Sequence, residues 1–171
     1  MIVACAVVIN MQSEAALDIS HITDVLSISA MPNKTHIDDI ISLNMGLVIS
    51  MLMGITDRID VAFHQSPFQF LSLPTTDAFF YPIYPTRLLM RGVATAIPIM
   101  QQGRRVLVFC KHGRHRSATM AACILIGMGM RAEPAMALVS AQRPVADLNP
   151  RLRARIRRFE ADWMRAQSGA H

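Results

Sequence analysis

The sequence predicts an α/β fold in which a central, mostly parallel sheet of about five strands is flanked by helices. Three observations lead there. Short apolar runs alternate with helical patterns as far as residue 109, and only helical patterns follow. The runs read as buried strands, as expected of a sheet covered on both faces. The chain has 171 residues, 52% of them hydrophobic and 17% charged. That composition is globular, and the length suits one core and not two, so a single domain over residues 1–171 is expected.

The first run, MIVACAVVI, reads as a buried strand. It and AACILIGMGM at 121–130 fall well short of the roughly 18–20 residues a membrane span needs. The first run also lacks a basic flank and a small-residue cleavage pattern, so no signal peptide is expected. DVLSISAM (24–31) has a strand's apolar content and stops at Pro32. Thr35 followed by Asp38 resembles a capping box for a short helix, HIDDIISLN. GLVISML (46–52) is the next strand, and FQFLSL (68–73) alternates cleanly up to Pro74. A helix from about Thr86 to Gln102 follows, with Pro98 expected to bend it. RVLVF (105–109) is a short apolar run typical of a buried strand.

Beyond it, SATMAACILIGMGM is apolar on nearly all sides, as a central buried helix is. EPAMALVSAQR has Pro134 near its first turn and stops before Pro144. Asn149 then Pro150 gives a cap and first position for the last helix. There Leu152, Ile156, Phe159 and Trp163 form an apolar stripe, and the arginines between 151 and 158 are expected on a solvated face.

Charge is unevenly spread. Residues 1–103 hold four Lys/Arg and eight Asp/Glu, whereas residues 104–171 hold thirteen and four. The basic part is expected to face an anionic ligand. Cys5, Cys110 and Cys123 are too few for a disulfide framework or a four-cysteine zinc site. A reducing, cytoplasmic setting follows, with no metal or other cofactor expected. Cys110, His112 and His115 have a metal-like spacing but lack an evident fourth ligand.

The stretch FCKHGRHRS (109–117) crowds Lys111, His112, Arg114, His115 and Arg116 around Cys110. It joins a predicted buried strand to a predicted buried helix, and ligands of open α/β sheets bind at such junctions. The helix N-terminus offers unpaired amides and a favourable dipole for an anion. Gly113 permits a tight loop whose amides turn inward, and Arg116 can hold two phosphate oxygens with its planar fork. The same field lowers a cysteine from about 8.5 into the range of about 3.5–7.5, so Cys110 is expected to be a thiolate. A thiolate and an arginine around one tetrahedral anion suit phosphoryl transfer. The sulfur attacks phosphorus, water hydrolyses the cysteinyl-phosphate, and Ser117 can donate a hydrogen bond to the departing sulfur.

Cys110, five residues, Arg116 and Ser117 resemble the CxxGxxR[ST] signature loop of cysteine-dependent protein tyrosine phosphatases. Over about residues 22–165 the chain is similar to the small dual-specificity branch. The resemblance implies a phosphatase-type fold, a metal-free phosphomonoester hydrolase, and a phosphorylated protein or other phosphomonoester as substrate. It also implies a general acid upstream, for which Asp77 in LPTTDAFFYP stands 33 residues before the cysteine. Asp57 and Asp60 are the fallback. Lys111, His112, Gly113, Arg114 and His115 become the substrate-binding loop. Lys111 and Arg114 resemble the basic loops of relatives that take multiply charged phosphates, and both histidines add charge in acid.

One departure is Phe109, where most relatives carry His. It leaves open a phosphate-binding pseudophosphatase module, beside a phosphatase for phosphoinositides or RNA 5′-phosphates. Cys123 reads as a core residue, with a redox pair to Cys110 as the alternative. Arg143 resembles a family position near the pocket but reads better as a cap on the preceding helix. A nucleic-acid partner is not expected.

Overall fold

The computed structural model describes residues 16–53, 57–76 and 84–169, without the side chains of residues 57–60. The strands are β1 (Ile19–His21), β2 (Leu26–Ser29), β3 (Met45–Ser50), β4 (Gln69–Ser72) and β5 (Arg105–Phe109). They form one sheet in the order β1-β2-β5-β3-β4. β1 runs antiparallel to β2, and every other pair is parallel. The expected fold class is the one observed. Its fifth strand is β1 at Ile19–His21, which sequence patterning does not signal. The run MIVACAVVI lies outside the described residues.

Register explains where a site forms. Ser29 and Ser50 both pair with Phe109, and Ser72 pairs with Ser50. The four parallel strands therefore finish in one row, with Cys110 immediately beyond its centre. Every residue of β2 and β3 is buried, as is Val106–Phe109, so these runs lack alternation because both faces are covered.

The helices are α1 (Ile37–Ser42), α2 (Asp57–His64), α3 (Thr86–Gln101), α4 (Arg116–Gly127), α5 (Ala132–Gln142) and α6 (Pro150–Ser168). α1 and α2 lead from β2 to β3 to β4, whereas α3 leads back from β4 to β5. Right-handed crossovers then put α3 on the opposite face from α1 and α2. Phe63 of α2 accordingly stacks on Phe70 and Phe109, while α4 packs among α3, α5 and α6. Every residue from Arg116 to Ile126 is buried, which makes α4 the central helix its composition requires. Among the described residues, no helix is long and apolar enough to cross a membrane.

Two local expectations need correcting. The capping box is Asn33 with His36 and not Thr35 with Asp38. Asn33 Oδ1 accepts from the amides of Thr35 and His36, and His36 Nδ1 accepts from the Asn33 amide. Asn is the better cap, and it starts a 3-10 turn that leads into α1. Pro98 lies inside α3, about one turn from its C-terminus. The arginines of α6 are only partly a solvated face. Arg153 and Arg157, one turn apart, both bond Glu133 of α5. Arg155 donates to the Tyr84 carbonyl at 2.8 Å and to Thr86 Oγ1 at 2.9 Å. The cap on α6 is as expected, with Asn149 Oδ1 accepting from the amides of Arg151 and Leu152.

Candidate active site

The loop from Cys110 to His115 joins β5 to α4, and Gly113 takes its left-handed turn at φ 64°. Three of its carbonyls are bonded to the surrounding structure. The Lys111 carbonyl accepts from the Met31 amide at 3.4 Å, and that of Arg114 accepts from the Asp147 amide at 3.1 Å. The Gly113 carbonyl accepts from Arg143 Nε at 3.3 Å. With these carbonyls engaged outside, the amides of His112 and Ser117 face the Cys110 sulfur, which is the construction of an anion nest.

Cys110 lies at the bottom, almost fully buried. Its sulfur is 3.2 Å from Ser117 Oγ. Burial pushes the thiol's pKa up. The Ser117 hydroxyl, the amides of Ser117 and His112, and the Arg116 charge outweigh it, so the net shift is downward. Arg116 is 6% exposed. Its Nη1 donates at 3.2 Å both to the Met51 carbonyl, just past β3, and to the Thr75 carbonyl, just past β4. Thr75 is itself fixed, donating from Oγ1 to the Met51 carbonyl at 2.8 Å. Two strand ends thus aim the guanidinium before any ligand arrives.

The other loop side chains divide. Lys111 lines the cavity over the loop together with Arg116, and His112 is exposed. Arg114 and His115 are turned to Asp147, at 3.6 Å and 3.4 Å, so a carboxylate offsets that part of the loop's charge. Among the described residues, no group of three or more His, Cys, Asp or Glu side chains is placed to hold a metal ion. Asp77 falls outside the described residues, two positions beyond the fixed Thr75. Asp57 and Asp60 belong to α2, and their side chains are not described.

Cys123 is fully buried two helical turns beyond Arg116, about 10 Å deeper along α4. Burial raises its pKa far enough to keep the thiol neutral, although the Arg155 charge opposes that. Its surroundings are those of a core residue.

Arg143 combines the two readings its sequence context allowed. Its backbone stands at the cap of α5. The residue is 2% exposed and makes a two-pronged pair with Asp18, at 2.7 and 2.8 Å, with a further bond to Ser20 Oγ at 3.2 Å. So held, its Nε supports the Gly113 carbonyl. A buried arginine needs such a partner, and this one stands 125 residues away in sequence. The hydrogen bonds from Arg143 hold the Asp18 carboxyl below its usual range. The pair therefore contributes stability above the unfolded carboxyl's value of about 3.9, and the contribution disappears as pH falls through the lower folded value. Wild type is expected to lose more stability than Asp18→Asn as pH falls below about 4, measured by urea midpoints. Parallel curves would mean that the pair is not the acid-sensitive contact.

Phe109 has a packing explanation. It is fully buried, and its ring stacks on Phe63 with centroids 5.8 Å apart, in a cluster with Phe68 and Phe70. Phe109→His would put an imidazole into that cluster. A loss of about 1–3 kcal/mol of stability is expected, with no gain in turnover. A sharp rise in turnover would show that the phenylalanine impairs the loop.

The sequence matches the family model for the dual specificity phosphatase catalytic domain over residues 6–162. No curated protein sequence matches significantly. Among solved structures, the chain is similar to PTPMT1, with TM-score 0.77 and 24% identity over 90% of this chain and 99% of that one. It is also similar to a mouse putative dual specificity phosphatase complexed with zinc tungstate, with TM-score 0.75 and 20% identity over 94% and 96%. Human DUSP28 superposes with TM-score 0.72 and 20% identity over 88% and 97%. At these identities the superpositions speak for the fold alone. The family match runs through nearly the whole chain, signature loop included, and by it this protein belongs to the dual specificity phosphatases, which are cysteine-dependent phosphatases.

Proposed function

We propose that Cys110 is the nucleophile of this phosphatase and that Arg116, the loop amides, Ser117 and Asp77 complete its machinery. The supporting observation is the pairing of a downshifted thiol with an anchored guanidinium at one inward-facing loop. A phosphomonoester sits with three oxygens on the amides and Arg116. The Cys110 thiolate attacks phosphorus in line, the P–O bond to the alcohol breaks, and Asp77 gives the leaving oxygen its proton. Water then attacks the cysteinyl-phosphate and loses its proton to Asp77, releasing inorganic phosphate. The Ser117 hydroxyl stabilises the sulfur that departs in this second step. Gly113 provides the turn, and Lys111 and His112 add donors at the mouth. Arg114 and His115 act on substrate less directly, since Asp147 faces both. A cytoplasmic location fits Cys110 and Cys123 as free thiols.

The general-acid role is tested by Asp77→Asn. An aryl phosphate with an acidic phenol hardly needs protonation, whereas an alkyl phosphate does. The variant is expected to lose about 10²–10⁴ in kcat on the alkyl ester and far less on p-nitrophenyl phosphate. An equal loss on both would remove Asp77 and return attention to Asp57 and Asp60. Substrate class is tested with a panel of phosphotyrosine peptide, phosphothreonine peptide, phosphoinositide and RNA 5′-phosphate. The crystallised complex of PTPMT1 with PI(5)P is the reason to include the lipid.

A further inference from the structure

The carboxylate that holds Arg143 belongs to the N-terminal edge of the sheet. Asp18 directly precedes β1, and its carbonyl accepts from the Ala30 amide at 3.1 Å, which ties it to the end of β2. Its two carboxylate oxygens take both terminal nitrogens of Arg143, at 2.7 and 2.8 Å. A planar fork held at both tips has its plane fixed. The remaining nitrogen, Nε, then donates to the Gly113 carbonyl at 3.3 Å. The residue before Gly113 is His112, whose amide favours the ionised form of Cys110. A chain of contacts thus runs from the first strand to the nucleophile's loop. Stability alone explains it poorly. The guanidinium is 2% exposed while the carboxylate is 61% exposed, and a buried charge is expensive enough that an apolar side chain could fill the same place at no loss. An apolar side chain could not donate to the Gly113 carbonyl.

We propose that Asp18 is a positioning residue for the reaction at Cys110, acting through Arg143 and the Gly113 carbonyl to hold the catalytic loop in its working shape. This rests on the catalytic reading above. Among the described residues, Asp18 is the one carboxylate on Arg143. Without it the guanidinium keeps only Ser20 Oγ and the Gly113 carbonyl, two neutral acceptors that cannot offset a buried charge. The fork is then free to turn away from the loop, and the His112–Gly113 peptide loses its outer support.

The test compares wild type with Asp18→Asn, Asp18→Glu and the double variant Asp18→Asn, Arg143→Met, all well below their melting transitions. Three quantities are read: kcat/KM on p-nitrophenyl phosphate, the midpoint of Cys110 alkylation by iodoacetate, and the urea midpoint. Asp18→Asn keeps one acceptor oxygen and loses the two-oxygen hold. It is expected to fall by about 10–100-fold in kcat/KM, as a displaced reacting group does. Its alkylation midpoint is expected to rise by about one pH unit as the His112 amide leaves the sulfur. Asp18→Glu restores both oxygens, and the exposed side of the carboxylate has room for one more methylene, so activity within about fivefold of wild type is expected. The double variant removes the buried charge that Asp18→Asn leaves unpaired. Its urea midpoint is expected to return to near that of wild type, while its turnover and alkylation stay those of Asp18→Asn. A merely structural role would not separate the two. A double variant that regains turnover along with stability would overturn the proposal, and so would Asp18→Asn with wild-type kinetics and alkylation. If the double variant does not fold, rescue of turnover and alkylation by Asp18→Glu supports the role, and equal losses in Asp18→Asn and Asp18→Glu overturn it. A wild type that binds tungstate and hydrolyses nothing would overturn the catalytic reading, and the positioning role with it. An active wild type whose alkylation midpoint is indifferent to Asp18→Asn overturns the positioning role alone.

Discussion

Cys110→Ser is expected to lower kcat on p-nitrophenyl phosphate by at least about 10⁴, while tungstate still binds. Removal of a covalent nucleophile costs on that order in enzymes where it has been measured. The structure explains why binding survives. The loop carbonyls are held by Met31, Arg143 and Asp147, and Arg116 by Met51 and Thr75. None of these bonds involves the cysteine sulfur. What disappears is a sulfur whose ionisation the Ser117 hydroxyl, two amides and Arg116 favour. A serine hydroxyl in the same place stays protonated at neutral pH and attacks phosphorus poorly. Without the thiolate's charge, a bound oxyanion also meets less repulsion, so tungstate should bind at least as tightly as to wild type. Iodoacetate gives a matching readout on the unmutated protein, where alkylation of Cys110 should rise through a midpoint below the free-thiol value of about 8.5. Hydrolysis retained by the serine variant would remove Cys110 as nucleophile. Lost tungstate binding would mean that the loop needs the sulfur to hold its shape.

The parts of this site that were legible in the sequence are those made locally. Cys110, Gly113, Arg116 and Ser117 fall within one turn and one helix start, where spacing alone dictates geometry. The strand before them and the helix after them are apolar enough to be read as buried. What sequence could not supply were contacts set by tertiary packing. Asp18 is paired with Arg143 because β1 lies antiparallel beside β2, and β1 has only three residues, too few for a periodic signal. Met51 and Thr75 hold Arg116 through carbonyls, which leave no trace in residue type. Asp147 faces Arg114 because the segment after α5 returns to the loop. The signal that existed, an arginine in QRP, was open to two readings. The structure holds both, with the backbone at the cap of α5 and the side chain on the catalytic loop. Phe109 is similar, since its role depends on α2, a helix that sequence patterning did not suggest.

Gly113→Ala is the substitution that tests the loop's support most directly. Gly113 has φ 64°, and a Cβ added there would lie 2.4 Å from Arg143 Nη2, 2.9 Å from the Ser29 carbonyl oxygen and 3.0 Å from its carbon. The Ser29 atoms are backbone at the end of β2 and cannot yield without moving the sheet. Arg143 cannot swing aside cheaply, because Asp18 grips it from two sides and Ser20 from a third. The cheapest response is for the loop itself to shift outward. The left-handed backbone costs about 1–2 kcal/mol for alanine, and the collision adds about 1–3 kcal/mol of overpacking. A stability loss of about 2–5 kcal/mol is expected. A displacement near 1 Å at a reacting centre costs about a hundredfold in rate. The variant should therefore fall by about that much in kcat/KM on an aryl phosphate. Its Cys110 alkylation midpoint should rise toward the free-thiol value as the His112 amide leaves the sulfur. Gly103→Ala separates backbone strain from collision. Gly103 has a similar φ of 73°, but an added Cβ there meets nothing within 4 Å. It should lose only the backbone cost and keep wild-type turnover and the wild-type alkylation profile. If Gly113→Ala matched Gly103→Ala in turnover and alkylation, Arg143 and Ser29 would not be what fixes the catalytic loop.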